Sequence, residues 1–150
     1  MKKLLKYAAC LVILVMVMAL FTGCILTGKV TGGGWFINTA RDNDEEKCTF
    51  GFNAQGDEGA EGFEYKGQFQ FNDHNGVKIH AEVMLCLDFA ETYALFYGQD
   101  DEGTDVYVYV EDMGQPGADP GDSIKIWYDA SLLDPPTYEG DLGGGNLQVH

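Results

Sequence analysis

The sequence predicts an all-β domain of about eight or nine short strands, closed or nearly closed into an antiparallel barrel, with a two-sheet β-sandwich as the alternative. Three observations carry this. Apolar and polar residues alternate with period two over several stretches, the repeat of a half-buried strand and not of a helix. Clusters of Gly, Asn, Asp and Pro punctuate those stretches at short intervals, as turns between hairpin-connected strands do. The stretches at the two ends are both strand-like, so they can pair with each other and leave no exposed edge.

Residues 1–23 stand apart from that pattern. Lys2, Lys3 and Lys6 precede an apolar run from Tyr7 to Phe21, followed by Thr22-Gly23-Cys24. A basic end, a short apolar middle and small residues before a cleavage point are the parts of a secretory signal. Phe21-Thr22-Gly23-Cys24 resembles a bacterial lipobox, with Phe in place of the more usual Leu. The apolar run spans 15 residues, short of the roughly 20 that a membrane-crossing helix needs, so an uncleaved anchor is the weaker reading. The expectation is a signal peptide over 1–23, lipid attachment at Cys24, a short link over 24–28 and one β-domain over 29–150. Each buried CH₂ of an acyl chain contributes about 0.8 kcal/mol, and a cysteine carrying several chains is held stably. The mature chain is then expected on the cell membrane or cell surface, outside the cytoplasm, tethered through its lipidated N-terminus.

Lys29 to Ile37 reads as the first strand. It contains Gly32-Gly33-Gly34, a triplet that suggests a bulge or a close approach of another backbone. A phosphate-cradling loop would need GxxxxGK[ST] and a following helix, and neither is present. Arg41 to Lys47 is a charged turn, Cys48 to Ala54 a strand, and Gln55 to Gly62 an acidic, Gly-rich turn. From there Phe63, Tyr65, Phe69 and Phe71 share one face, opposite Glu64, Lys66, Gln68 and Gln70. Asn72-Asp73-His74-Asn75-Gly76 is a hairpin signal, because Asn-Gly accepts the positive φ that tight turns require. Val77 to Phe89 returns with Ile79, Ala81, Val83, Leu85, Leu87 and Phe89 in phase, and Thr92 to Gly98 follows. Asp105 to Glu111 sets Val106, Val108 and Val110 against Tyr107 and Tyr109. The loop from Asp112 to Asp122 contains Pro116 and Pro120 among glycines and excludes a regular element. Asp122 to Tyr128, Thr137 to Asp141 and, after Gly143-Gly144-Gly145-Asn146, Leu147 to His150 complete the strands.

Composition narrows the function. Without the signal, six basic residues face 24 acidic ones, a side-chain balance of −18. That excess argues against nucleic acid, whose phosphates call for Lys and Arg, and repels an anionic bilayer, so the lipid has to provide attachment. Its simplest role is solubility. Of four cysteines, Cys10 leaves with the signal and Cys24 takes the lipid. Cys48 and Cys86 remain, and in an oxidising compartment two leftover thiols suggest a disulfide. Strand parity opposes it: Cys48 is in phase with Phe50 and Phe52, whereas Cys86 is out of phase with its apolar neighbours.

Chemistry has few footholds. A structural calcium ion is the most physical candidate, since Ca²⁺ takes six to eight oxygens and Asp112, Asp119 and Asp122 lie on one long loop, although no EF-hand spacing is present and solvated turns explain the acids more simply. No other cofactor is expected. His74, His80 and His150 lack zinc-ligand spacing. Ser123 and Ser131 sit in no GxSxG elbow, and nothing selects a carboxylate pair for glycoside hydrolysis. Trp35, Tyr107, Tyr109 and Trp127 lie out of phase with the aliphatic face and form a candidate aromatic surface for a protein or carbohydrate partner, with core packing the alternative.

The segments Val30-Thr31-Gly32-Gly33-Gly34-Trp35, Phe50-Gly51-Phe52-Asn53, Asp73-His74, Val108-Tyr109-Val110-Glu111-Asp112 with Gly114 and Pro116-Gly117, and Gly144 to His150 resemble a small secreted β-domain of bacterial surface proteins labelled post-COAP. The resemblance covers roughly residues 29 to 150 and implies an extracytoplasmic β-module, with no catalytic residue to carry over. The expectation is therefore a lipid-anchored, non-enzymatic binding or structural module. A barrel carrying a small apolar ligand inside is the alternative, and a carboxylate-based hydrolase is a third reading.

Overall fold

The computed structural model describes residues 27–40, 46–114 and 121–150. The signal, Cys24, Asp119 and most of the charged turn after Arg41 lie outside the described residues. Eight strands follow one another: β1 (Gly28–Ile37), β2 (Lys47–Gly59), β3 (Gly62–Asn72), β4 (Lys78–Phe89), β5 (Tyr93–Asp100), β6 (Asp105–Glu111), β7 (Ser123–Tyr128) and β8 (Tyr138–Val149). Each pairs antiparallel with the next, and β8 pairs with β1, giving a closed up-and-down barrel. The sandwich alternative is thereby set aside, and no helix occurs among the described residues.

Alternation decides which side chains enter the barrel. Phe36, Phe50, Phe52, Phe69, Phe71, Phe96 and Tyr138 are buried and touch in a continuous series. Ring centroids lie 5.3 Å apart for Phe52 and Phe96 and 4.5 Å for Phe71 and Tyr138. Val106, Val108, Val110, Ile124, Ile126 and Leu147 fill the opposite wall. A void bounded by Phe69, Ala81, Val83, Phe96 and Val108 has no room for a water molecule. Burying each large apolar side chain contributes about 1.5–3 kcal/mol, and each aromatic contact about 0.5–1.5 kcal/mol more.

The seam between β1 and β8 is made of glycine. Gly34 opposes Gly145 and Trp35 opposes Gly144, with a register shift between Trp35 and Phe36. A Cβ on Gly34 would lie 2.1 Å from the Gly144 carbonyl oxygen, so the two backbones approach closer than any side chain allows. The Trp35 ring covers Gly143 and Gly144, and Lys47 Nζ sits 4.3 Å from its centroid. Close backbone approach is what the Gly32–Gly34 triplet predicts.

Four expectations are corrected. The acidic turn expected over Gln55 to Gly62 is ladder up to Gly59↔Gly62; Gly62, at φ 126°, permits a turn of only two residues. The two final strands are one, because Gly144 and Gly145 pair with β1 and Gly143 is the extra residue at the register shift between them and Leu142. In β4 a bulge between Val83 and Leu85 reverses the phase, so Cys86 is buried and Leu85 is exposed. Nor are Cys48 and Cys86 bonded: both are buried free thiols. Thr49 pairs with Asn72, which pairs with Lys78. Cys48 is therefore level with the start of β4 and Cys86 lies on the order of 30 Å further along it, at about 3.3 Å per residue. A disulfide needs Cα atoms within about 7 Å. Burial pushes the Cys48 thiol up to about 12, helped by Glu46 and Asp73, and the Cys86 thiol up to about 11.

Candidate functional site on the outer face of strands five to seven

Because Ala94, Phe96, Val106, Val108, Ile124 and Ile126 point inward, the intervening residues of β5, β6 and β7 must point outward. They are Tyr93, Leu95 and Tyr97, then Tyr107 and Tyr109, then Lys125 and Trp127. The register sets Tyr97 beside Tyr107 and Tyr107 beside Trp127, making one row, with Leu95, Tyr109 and Lys125 in the next. Ring centroids are 5.0 Å apart for Tyr97 and Tyr107 and 5.8 Å for Tyr93 and Tyr109. All of these side chains are half-buried against one another. Trp127 is anchored through Nε1, which donates to the Asp134 carbonyl at 2.9 Å.

Carboxylates frame this face. Tyr97 donates its hydroxyl to Asp105 Oδ1 at 2.7 Å, and Gln99 Nε2 donates to the same oxygen at 3.0 Å. Tyr93 donates to Asp88 Oδ2 at 3.0 Å, and Ser123 Oγ to Glu111 Oε2 at 3.4 Å. Hydrogen bonds from Gln99 and Tyr97 hold the Asp105 carboxyl below its usual range, and the bond to Asp105 raises the Tyr97 phenol. Burial raises the Tyr109 phenol, with Glu111 adding to it. The face thus couples electron-rich rings to ionised carboxylates, a combination suited to cations through ring and charge together.

The structure divides the aromatic residues expected to act together. Tyr107, Tyr109 and Trp127 are neighbours, whereas Trp35 lies across β8, stacked on the glycine seam. Sequence reasoning missed Tyr93, Tyr97 and Asp105. The signal was the alternation of Tyr93, Leu95 and Tyr97 with Ala94, Phe96 and Gly98, which puts the tyrosines on the face opposite a phenylalanine.

The calcium candidates serve the backbone. Asp122 Oδ1 accepts from Met113 N at 2.9 Å and Oδ2 from Leu147 N at 3.2 Å; Asp112 Oδ1 accepts from Gly114 N at 3.0 Å and Oδ2 from Val149 N at 3.2 Å. β7 pairs with β8 only as far as Asp141. Beyond it these two carboxylates take the place of a neighbouring strand, satisfying β8 amides that would otherwise be orphaned. No cluster of three metal-ligating groups occurs among the described residues.

A different aspartate organises the opposite end. Asp73, at the β3–β4 turn, is buried; its Oδ1 accepts from Asn75 N and Val77 N at 2.8 and 2.9 Å, and its Oδ2 from the Tyr138 hydroxyl at 3.2 Å. Burial opposes its ionisation, but these bonds and one from Gly76 N outweigh it and hold the carboxyl below its ordinary value.

Comparison with protein-family models, with curated proteins and with solved structures gave no match.

Proposed function

We infer that the protein is a non-enzymatic binding module, tethered outside the cytoplasm by lipid at Cys24, that engages a protein partner through the aromatic face of β5 to β7. The observation that carries this reading is where the barrel puts its aromatic rings. Phe36, Phe50, Phe52, Phe69, Phe71 and Phe96 fill the interior, which favours surface recognition over carriage of an apolar ligand inside. Tyr93, Tyr97, Tyr107, Tyr109 and Trp127 gather on one outward patch with carboxylates at the margin, and such residues dominate the energetics of protein interfaces. The acidic frame points to a partner surface carrying Arg or Lys.

Two further features agree with it. Outward positions of β3 and β4 such as Gln68, Gln70, His80 and Glu82 are exposed and polar, the reverse of the apolar outer band of a membrane-spanning barrel. Among the described residues, the carboxyl groups with a resolved shift, Asp57, Asp73, Asp100 and Asp105, move downward, away from the raised value a general acid needs.

The experiment uses full-length chain in its own cells, crosslinked at the surface, beside a Tyr107→Ser/Tyr109→Ser/Trp127→Ser variant. A protein partner crosslinked to the wild type and lost from the variant is the expected result; an identical crosslinked set for both overturns the assignment of the face. Labelled palmitate should enter the wild type and not Cys24→Ser, and absence of label from both overturns the tether.

A further inference from the structure

The outer face of β2 to β4 holds a groove of about 500 Å³ lined by Thr49, Gly51, Gln70, Asn72, Lys78 and His80. Three properties set it apart. Its lining contains Lys78 and no carboxylate, in a chain of net charge −15. Its polar groups are partly uncommitted: Asn72 Oδ1 accepts from His74 N at 2.8 Å, but among the described residues Gln70, Lys78 and His80 make no side-chain hydrogen bond or ion pair. Thr49, by contrast, is held in place, its hydroxyl 3.1 Å from His74 Nε2 and 3.5 Å from the Asn72 carbonyl.

The third property is the floor. A Cβ on Gly51 would meet no atom within 4 Å, whereas one on Gly34 or Gly98 would collide with backbone. Packing therefore does not demand glycine at position 51, and glycine in a strand loses about 0.5–1 kcal/mol relative to alanine. A strand glycine without a crowding neighbour leaves the backbone there open to a ligand.

We propose that this groove binds an acidic saccharide. Its volume exceeds what a bare inorganic anion fills. Amide, hydroxyl and imidazole groups at close spacing match vicinal sugar hydroxyls, which both donate and accept hydrogen bonds. Lys78 supplies the one charge, opposite in sign to a uronate carboxylate, and the bare Gly51 backbone lets a pyranose ring lie against the sheet. The site is separate from the aromatic face and does not depend on it.

The test is an NMR titration of the full chain in detergent micelles with tetragalacturonate, using cellotetraose and acetate as comparators. Tetragalacturonate is expected to shift the amides of Thr49, Gly51, Gln70 and His80 saturably, with cellotetraose at least tenfold weaker and acetate producing no saturable shift. Gly51→Phe fills the groove in open space and should abolish binding while keeping the wild-type melting temperature, and Lys78→Met should weaken it at least tenfold. Gln70→Ala, which alters no buried group, gives a second variant expected to bind more weakly. Absence of saturable shifts, equal affinity for cellotetraose, or unchanged binding by Gly51→Phe each overturns the proposal.

Discussion

Replacing Gly34 with alanine tests the closure of the barrel directly. The added Cβ would stand 2.1 Å from the Gly144 carbonyl oxygen and 2.9 Å from Gly145 Cα, where ordinary contact begins at 3.4 Å. Both obstacles are backbone and cannot rotate away. β1 and β8 must part locally by roughly 1.3 Å, which stretches ladder bonds past the limit at which an N–H still holds its acceptor. Losing two such bonds at about 0.5–1.5 kcal/mol each, with the strain of overpacking, gives a destabilisation of about 3 kcal/mol. In a domain of this size that lowers the melting temperature by roughly 10–15 °C. The control is Gly51→Ala, whose Cβ meets nothing within 4 Å and which should be neutral or about 0.5 kcal/mol stabilising. Urea unfolding of the chain lacking residues 1–24, followed by tryptophan fluorescence, reads both. Stabilities for the two variants within about 0.5 kcal/mol of each other would refute the glycine seam, since the same chemical change would then be indifferent to a 2.1 Å clash.

Asp73→Ala removes the acceptor of two turn amides and the buried Tyr138 hydroxyl, and should destabilise by about 3 kcal/mol at neutral pH. Because the folded carboxyl titrates below its unfolded value, that stability is present above about pH 4 and is lost as pH falls through the folded value; wild type and variant should therefore converge in acid denaturation. Thiol titration should find Cys48 and Cys86 unreactive in the native protein, where burial raises both thiols, and reactive without reductant once it is unfolded. Asp122→Ala should cost about 2 kcal/mol by stranding Leu147 N and Met113 N. Melting temperatures in calcium and in chelator should coincide, whereas a rise of several degrees with calcium would show that the protein binds the ion.

The fold class was legible because alternation is a local property. Phe69 and Phe71 against Gln68 and Gln70, or Val106, Val108 and Val110 against two tyrosines, declare a strand and its inner face whatever the strand packs against. The glycines at both ends were also readable as a place where backbones meet. Phase, however, survives only as far as the ladder is regular. The bulge after Val83 exchanged Leu85 for Cys86 in the core, and no residue of β4 announces it, because the irregularity is settled by pairing with β5. Partners are likewise non-local. That Asp112 and Asp122 fasten the free edge of β8, that Cys48 and Cys86 sit far apart along the sheet, and that Trp35 belongs to the seam while Tyr97 joins Tyr107 all follow from register. Register is a relation between strands distant in the chain. The sequence alone therefore determined which residues face inward along each uninterrupted strand, and tertiary pairing decided which outward residues become neighbours, since a surface is assembled from several strands and no single one encodes it.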